Sequence, residues 1–377
     1  MAIEYQPEQV PAGTLPTFAP SRRSLLRGLG LGGGAVAAAS LLSACSSSHT
    51  STGTGGAGAF PATPKWKFVF VNHVTTNSFF IPTRAGLADA AALLGLPTPQ
   101  WTGSETGDVS EMKSAFETAI SSGADGIAIP LTDNTAFIGP TQQALAAGIP
   151  VVAYNANAPG NFALTYVGQD LYQSGVLMGQ KIATEVTSGE ILVGISQPGG
   201  NNVQPRLDGL TAALKAAAPN VSVNSVDTGT TQAGALSNME ASYQGNKSVK
   251  GIYAVDAETT EGIPQLIQTY GLKGKVHAGG FDTLSPTIAG VHSGALDFSI
   301  DQSAYLQGFL PVLYLFMYRL SGTLVAPPAT DTGLTFVTSA NVDTYFSSNS
   351  KFEGGSNKAV LNMPNSITLP PPSQVQT

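Results

Sequence analysis

The chain has a single cysteine, Cys45, so no disulfide can form within it and the fold must rest on packing. Only 11% of its 377 residues are charged, and 17 Lys and Arg against 24 Asp and Glu leave a net charge of -7. That balance offers no basic face to nucleic acid. After the first fifty residues no run of roughly 18 uninterrupted apolar residues occurs, so no further membrane span is expected. The four histidines are scattered at His49, His73, His277 and His292, and no Ser nucleophile elbow, phosphate loop or His/Cys metal cluster is present. No cofactor and no metal are therefore expected.

What is present begins with an export pattern. Ser21-Arg22-Arg23-Ser24-Leu25-Leu26-Arg27 places a twin-arginine pair directly before an apolar stretch of Leu, Gly and Ala. Leu42-Ser43-Ala44-Cys45 then resembles the lipobox of bacterial lipoproteins, whose cysteine takes a diacylglycerol and becomes the first mature residue. Each piece alone reads equally well as a solvated basic patch or a short core helix. Their order, with an apolar run too short to span comfortably, favours a signal over residues 1–44 and lipidation at Cys45. Gly28, Gly30 and Gly33 match a dinucleotide fingerprint, but no strand precedes them. Residues 45–64, mostly Ser, Thr, Gly and Ala, read as a flexible tether.

Once signal and tether are set aside, about 310 residues remain, a size typical of two domains. From Trp66 on, short apolar runs alternate with segments of helical spacing. The runs at 67–72, 126–130, 150–154, 190–196, 221–226, 251–255, 276–281 and 296–300 read as buried parallel strands. Such a series predicts an α/β fold of open parallel sheets with helices on both faces and right-handed crossovers. The apolar segment 305–320 contains Gln307, Pro311 and Arg319, and reads as a core helix of a sheet domain.

In open α/β sheets ligands bind beyond the carboxyl ends of the strands. The residues just past the predicted strands include Asn72, His73, Asn77, Phe79 and Phe80, then Asp133 and Asn134, then Asn155 and Asn157. Later strands are followed by Gln197 and Asn201, by Asp256 and Glu258, by Asp282, and by Asp301 and Gln302, while Arg206 lies in the helix after Gln197. Amides, carboxylates and Arg can grip neighbouring hydroxyls by paired hydrogen bonds, and aromatic rings cover the carbon-bound hydrogens of the same guest. The set reads as a polyhydroxyl site. Taken singly, Asp133 and Asp256 read equally as helix N-caps, Phe79 or Phe80 as core, and Arg206 as a surface charge.

Several segments resemble one family. Asn77-Ser78-Phe79-Phe80 followed by a helix with Gly86, Gly123-Ala124-Asp125-Gly126-Ile127, Ile149-Pro150-Val151-Val152, Val167-Gly168-Gln169-Asp170 and Gly279-Gly280-Phe281-Asp282 are similar to the ribose-type periplasmic sugar-binding proteins of ABC importers. The resemblance spans about residues 66–320. It implies a type I periplasmic binding protein, two Rossmann-like lobes joined by three hinge crossings, near 168–170, 301–303 and 330–333. Lobe one is expected at 65–168 and 303–330, lobe two at 169–302 and 331–346, and a tail at 347–377.

By motif, the resemblance assigns ligand contacts to Asn77, Phe79, Phe80, Asn155, Arg206, Asp256, Asp282 and Gln302; Asp133 joins them as a strand-end residue. Ala156 stands where the ribose-type pattern has Arg, and Asp256 where it has Asn, which argues against ribose itself and shifts the expectation from a pyranose towards a pentose or a linear polyol. The expected protein is a monomeric, lipid-anchored, extracytoplasmic sugar binder that closes on its cargo and docks on ABC permease subunits, without catalysis. A sensor presenting the bound sugar to a membrane receptor uses the same lobes. A secreted carbohydrate-active enzyme would use paired groups such as Asp282 with Asp301, or His73 near Asp133, as acid and base.

Overall fold

The computed structural model describes residues 63–324 and 326–346. The expected signal, Cys45, most of the tether and the 347–377 tail lie outside the described residues. Elements are numbered along the chain.

Two six-stranded sheets organise the fold. The first holds β1 (Phe68–Asn72), β2 (Gln100–Gly103), β3 (Gly126–Ile129), β4 (Val151–Tyr154), β5 (Thr165–Gly168) and β11 (Ala329–Asp331) in the order β11-β5-β4-β3-β1-β2, all parallel. The second holds β6 (Ser188–Ile195), β7 (Asn220–Asp227), β8 (Gly251–Ala254), β9 (His277–Phe281), β10 (Phe298–Asp301) and β12 (Thr335–Val337) in the order β12-β10-β9-β8-β6-β7. Only β12 runs antiparallel, against β10. Both orders are the doubly wound arrangement, with its topological switch beside the first strand of each lobe. The expected α/β fold of two parallel-sheet lobes is borne out.

The helices are α1 (Ile81–Leu94), α2 (Val109–Ser121), α3 (Ile138–Ala146), α4 (Leu171–Ala183), α5 (Gln204–Ala217), α6 (Gln232–Gly245), α7 (Ala257–Thr269), α8 (Ser285–Ser293), α9 (Ala304–Ser321) and α10 (Val342–Phe346). Asp108, Asp170 and Asp256 accept backbone N–H groups at the starts of α2, α4 and α7, supplying partners the first helical turn lacks. Central strands such as β1 are buried at every residue because helices cover both faces. Phe68, Phe70, Tyr154 and Phe316 fill one core of the first sheet, and Val69, Val71, Met112 and Phe116 the other. Each such side chain contributes about 1.5–3 kcal/mol when fully buried. The α9 helix packs into the first of these cores, as expected, and among the described residues no helix is long and apolar enough to cross a membrane.

Two helix pairs approach through glycine. A Cβ on Gly86 of α1 would lie 2.1 Å from the Tyr305 carbonyl of α9, and one on Gly308 of α9 would lie 1.9 Å from the Thr83 carbonyl of α1. In the second lobe, a Cβ on Gly175 of α4 would lie 2.0 Å from the Arg206 carbonyl of α5, and one on Gly209 of α5 would lie 2.1 Å from Tyr172. These contacts set the start of α1 and the position of Arg206.

Among the described residues the chain passes between the sheets three times: from β5 into α4, from β10 into α9, and from β11 into β12. The crossings are tied to one another. Gln169 Nε2 donates to the Gly333 carbonyl at 3.0 Å, Thr332 Oγ1 to the Gln302 carbonyl at 2.8 Å, and the Thr332 N–H to Gly168 at 3.2 Å. One expectation fails locally: β7 is an edge strand with most residues exposed or half-buried, because only β6 flanks it.

Candidate functional site

The carboxyl ends of the two sheets face a common cavity of about 440 Å³, counting its open mouth. Eight of the nine residues singled out from sequence line it: Asn77, Phe79, Phe80, Asn155, Arg206, Asp256, Asp282 and Gln302.

Lobe one supplies rings and amides. After β1 the chain enters a single 3-10 turn, Ser78–Phe80, because Asn77 Oδ1 accepts the Phe79 N–H at 2.7 Å. This cap leads into α1, with Pro82 in its first turn, and sets Phe79 and Phe80 edge to face with centroids 4.7 Å apart. The His73 ring meets Phe80 edge-on at 5.4 Å. Burial lowers the His73 pKa to about 4, so its imidazole is neutral at neutral pH. Asn155 follows β4 in a left-handed conformation, φ 62°, which Asn tolerates better than most residues.

Lobe two supplies charge. The Arg206 guanidinium is buried, stacks on Phe281 at 4.0 Å, and donates to the Val255 carbonyl at 3.0 Å and to Gln169 Oε1 at 3.3 Å. Asp282 follows β9 with φ 76° and accepts Gln302 Nε2 on Oδ1 at 2.6 Å. Burial raises its pKa to about 7, against the opposing pull of Arg206 and Gln302. Asp256 accepts the Ser196 N–H on Oδ2 at 2.8 Å and the Thr259 N–H on Oδ1 at 2.9 Å, so it is a helix cap as well as a wall of the cavity. Burial also raises its pKa.

A hydrogen-bond chain joins the lobes behind the cavity. Asn155 Nδ2 donates to Gln307 Oε1 at 3.1 Å, Gln307 Nε2 to Gln302 Oε1 at 3.1 Å, and Gln302 Nε2 to Asp282. At the rim, Gln197 Nε2 donates to the Gly107 carbonyl at 3.0 Å, Thr230 Oγ1 to Thr106 at 3.2 Å, and Asn201 Nδ2 to Asn134 Oδ1 at 3.0 Å. The lobes therefore meet over the cavity. Three of its side chains still carry a buried polar atom without a partner among the described residues: His73 Nδ1, Asn202 Oδ1 and Arg206 Nε.

Asp133 is the exception among the nine. It lies outside this cavity, its Oδ1 accepting the Thr135 and Ala136 N–H groups at 2.8 Å each, the local turn that a strand-end Asp so readily forms. The groups weighed as acid–base pairs have other partners: Asp301, whose charge acts on Asp282, does not itself line the cavity. Asp301 accepts the Ser303 N–H and the Tyr345 hydroxyl, and His73 Nε2 meets Asn202 Nδ2 at 3.3 Å instead of Asp133. Asn202, Thr230 and Glu258 line the cavity without having been selected. Glu258 stood in the strand-end set; burial, then the Asp256 charge, raises its pKa to about 8, leaving a neutral acid able to donate a hydrogen bond at neutral pH. Asn202 and Thr230 had no signal, since each sits in a loop that only the approach of the other lobe makes functional.

A family model described as a periplasmic binding protein domain matches residues 68–322. A xylose/arabinose-binding protein of Sulfolobus acidocaldarius is 44% identical over 312 residues, covering 78% of this chain and 76% of that protein. Among solved structures, the arabinose-binding protein AraP of Geobacillus stearothermophilus is 26% identical with a TM-score of 0.61, covering 75% of this chain and 99% of that one. The sugar-binding protein of a sugar ABC transporter from Bacillus halodurans is 25% identical with a TM-score of 0.65, covering 74% and 99%.

Proposed function

The chain belongs to the periplasmic binding protein family, whose members bind solutes without transforming them, and we propose that it carries a pentose to the membrane subunits of an ABC importer. One observation carries this reading: a cavity lined on one side by Phe79 and Phe80, and on the other by Arg206 and an Asp282 carboxylate whose Oδ2 takes no hydrogen bond from the described residues. A sugar hydroxyl donates to that oxygen and accepts from the guanidinium, while the phenyl faces cover its C–H groups.

The xylose/arabinose relative supports a pentose over a hexose or a linear polyol. Ala156, fully buried where the ribose-type pattern has Arg, supports a pentose other than ribose. Because both lobes touch the guest, binding favours the closed arrangement by its higher affinity for that state. The tied crossings near Gly168, Gln302 and Thr332 are the hinge, and the closed outline is what the importer reads. The Arg22-Arg23 pair and the Leu42–Cys45 lipobox support an extracytoplasmic carrier held to the membrane by lipid on Cys45.

Calorimetry of the protein against D-xylose, L-arabinose, D-ribose, D-glucose and xylitol tests the reading. Binding is expected for xylose or arabinose, and the Arg206→Ala/Asp282→Ala double variant is expected to remain folded and bind neither. A hexose or xylitol preference would overturn the pentose assignment, and retained affinity in the double variant would overturn the site.

A further inference from the structure

The pole of lobe two opposite the cavity, where the strands begin, gathers groups that sugar binding does not use. Glu185 follows α4, His277 opens β9, and Asp297 immediately precedes β10. One ligand atom from each lies within 4.8 Å of the others. His277 Nδ1 stands 3.1 Å from Asp297 Oδ2, which also accepts the Ala278 N–H at 2.9 Å. Lys181 pairs with Glu185 Oε1, leaving Oε2 buried without a partner.

A second observation comes from the sheet. Tyr253 is fully buried, and its hydroxyl has no hydrogen-bond partner among the described residues. Its ring leans over Gly251, where a Cβ would lie 2.4 Å from Cε2, so the hydroxyl is carried towards the strand starts. Gly251 pairs in register with His277, so both face the same side of the sheet. The charges of Glu185 and Asp297 both act on that hydroxyl, adding to the effect of burial in raising its pKa. A buried phenol with no partner leaves its lost hydration uncompensated unless something polar reaches it.

We propose that Glu185, His277 and Asp297 form a binding site for a divalent transition-metal cation, with Tyr253 oriented to hydrogen-bond a water on the metal. One imidazole with two carboxylates suits Zn²⁺ rather than Ca²⁺ or Mg²⁺, which take oxygen ligands. Three protein ligands leave a fourth tetrahedral position for water, and the Tyr253 hydroxyl is the kind of outer partner that orients it. Two carboxylates against the single Lys181 ammonium leave the cluster net negative before the cation arrives. Exposure of about two-fifths on His277 and Asp297 side chains, 45% and 41%, gives the ion a way in. Bound there, it would clamp the α4–β6 turn to the starts of β9 and β10 without touching the cavity.

Equilibrium dialysis of the full chain with Zn²⁺, in a Cys45→Ser background so that no thiol competes, tests this. One equivalent is expected to bind, with affinity falling more than tenfold in His277→Ala and in Asp297→Asn and about tenfold in Tyr253→Phe. Pentose affinity, measured in the same variants, is expected to be unchanged, which certifies their fold. Absence of saturable Zn²⁺ binding, or binding that survives both His277→Ala and Asp297→Asn, would overturn the proposal, and either result leaves the sugar reading untouched.

Discussion

The two lobes share a plan and differ in chemistry. Each is a doubly wound sheet, each brings one helix pair together through small residues, and each ends its fourth strand in a left-handed residue, Asn155 at φ 62° and Asp282 at φ 76°. Yet lobe one lines the cavity with His73, Asn77, Phe79, Phe80 and Asn155, whereas lobe two, besides the neutral Gln197, Asn202 and Thr230, brings the titratable Arg206, Asp256, Glu258 and Asp282. The scaffold is repeated while the strand-end residues diverge, as expected if backbone geometry and guest recognition answer to separate constraints. Rings and amides can receive a guest in an open cleft at little desolvation cost. Charges gain strength only when closure removes water, so lobe two should carry most of the binding energy.

The equivalence of Asn155 and Asp282 offers the sharpest way to break that comparison. Asp282→Asn keeps a residue suited to left-handed backbone but removes the charge beside Arg206. Hydrogen bonds to charged groups are worth about 1.5–3 kcal/mol, so pentose affinity should fall about 100-fold by calorimetry. Asn155→Ala loses a neutral contact and should cost only about tenfold. Equal losses would mean that the lobes share the binding energy.

Helix packing, by contrast, should make the lobes behave alike. Gly86→Ala in α1 and Gly175→Ala in α4 each drive a methyl into backbone, against Tyr305 and Arg206 respectively. Overpacking of this kind costs about 1–3 kcal/mol, measurable as a lowered urea midpoint. A lobe in which the substitution is silent must have slack in its helix pair.

Acidity separates the lobes again, with opposite signs. His73 in lobe one has its pKa lowered to about 4, so its contribution is present above the unfolded value near 6.5 and is lost as pH falls towards 4. Glu258 and Asp282 in lobe two are raised to about 8 and about 7, so theirs is present below about 4 and is lost as pH climbs through those values. Between about 4 and 6.5 the trends oppose; from about 6.5 to 8 lobe two acts alone. The ligand-free protein should therefore lose stability over that upper window, by up to about 1.4 kcal/mol per pH unit for each group. Glu258→Gln should flatten the fall in Tm, and His73→Gln should leave it intact while reducing the loss in acid.

The same contrast explains what could be read from sequence. Buried central strands such as β1 and β8 declare themselves by continuous apolar runs. The strands β2, β5, β11 and β12 do not, being three or four residues long, several of them polar or exposed, and held by neighbours rather than by their own hydrophobicity. Reading strand ends reached Asn155, Asp282 and Gln302 because topology alone brings those residues to the crevice, while Arg206, inside α5, came from the family resemblance. It misplaced Asp133, whose local turn has the same composition as a ligand contact, and it passed over Asn202 and Thr230, whose roles depend on the facing lobe.

Those facing contacts yield the smallest expected effect and bear most directly on closure. Gln197 Nε2 reaches the Gly107 carbonyl across the rim, and a side chain on Gly107, at φ 85°, would displace that amide, since a Cβ would lie 2.4 Å from its nitrogen. The bond joins the two lobes and so belongs to the closed arrangement; Gln197 stands at the rim and also lines the cavity, so removing its amide should weaken closure while leaving Arg206, Asp282 and the phenyl pair in place. A net hydrogen bond of about 0.5–1.5 kcal/mol predicts a two- to tenfold loss of pentose affinity in Gln197→Ala, appearing in the dissociation rate. If the loss appeared instead in the association rate, Gln197 would be acting while the cleft is still open, and lobe two would be receiving the guest as well as gripping it.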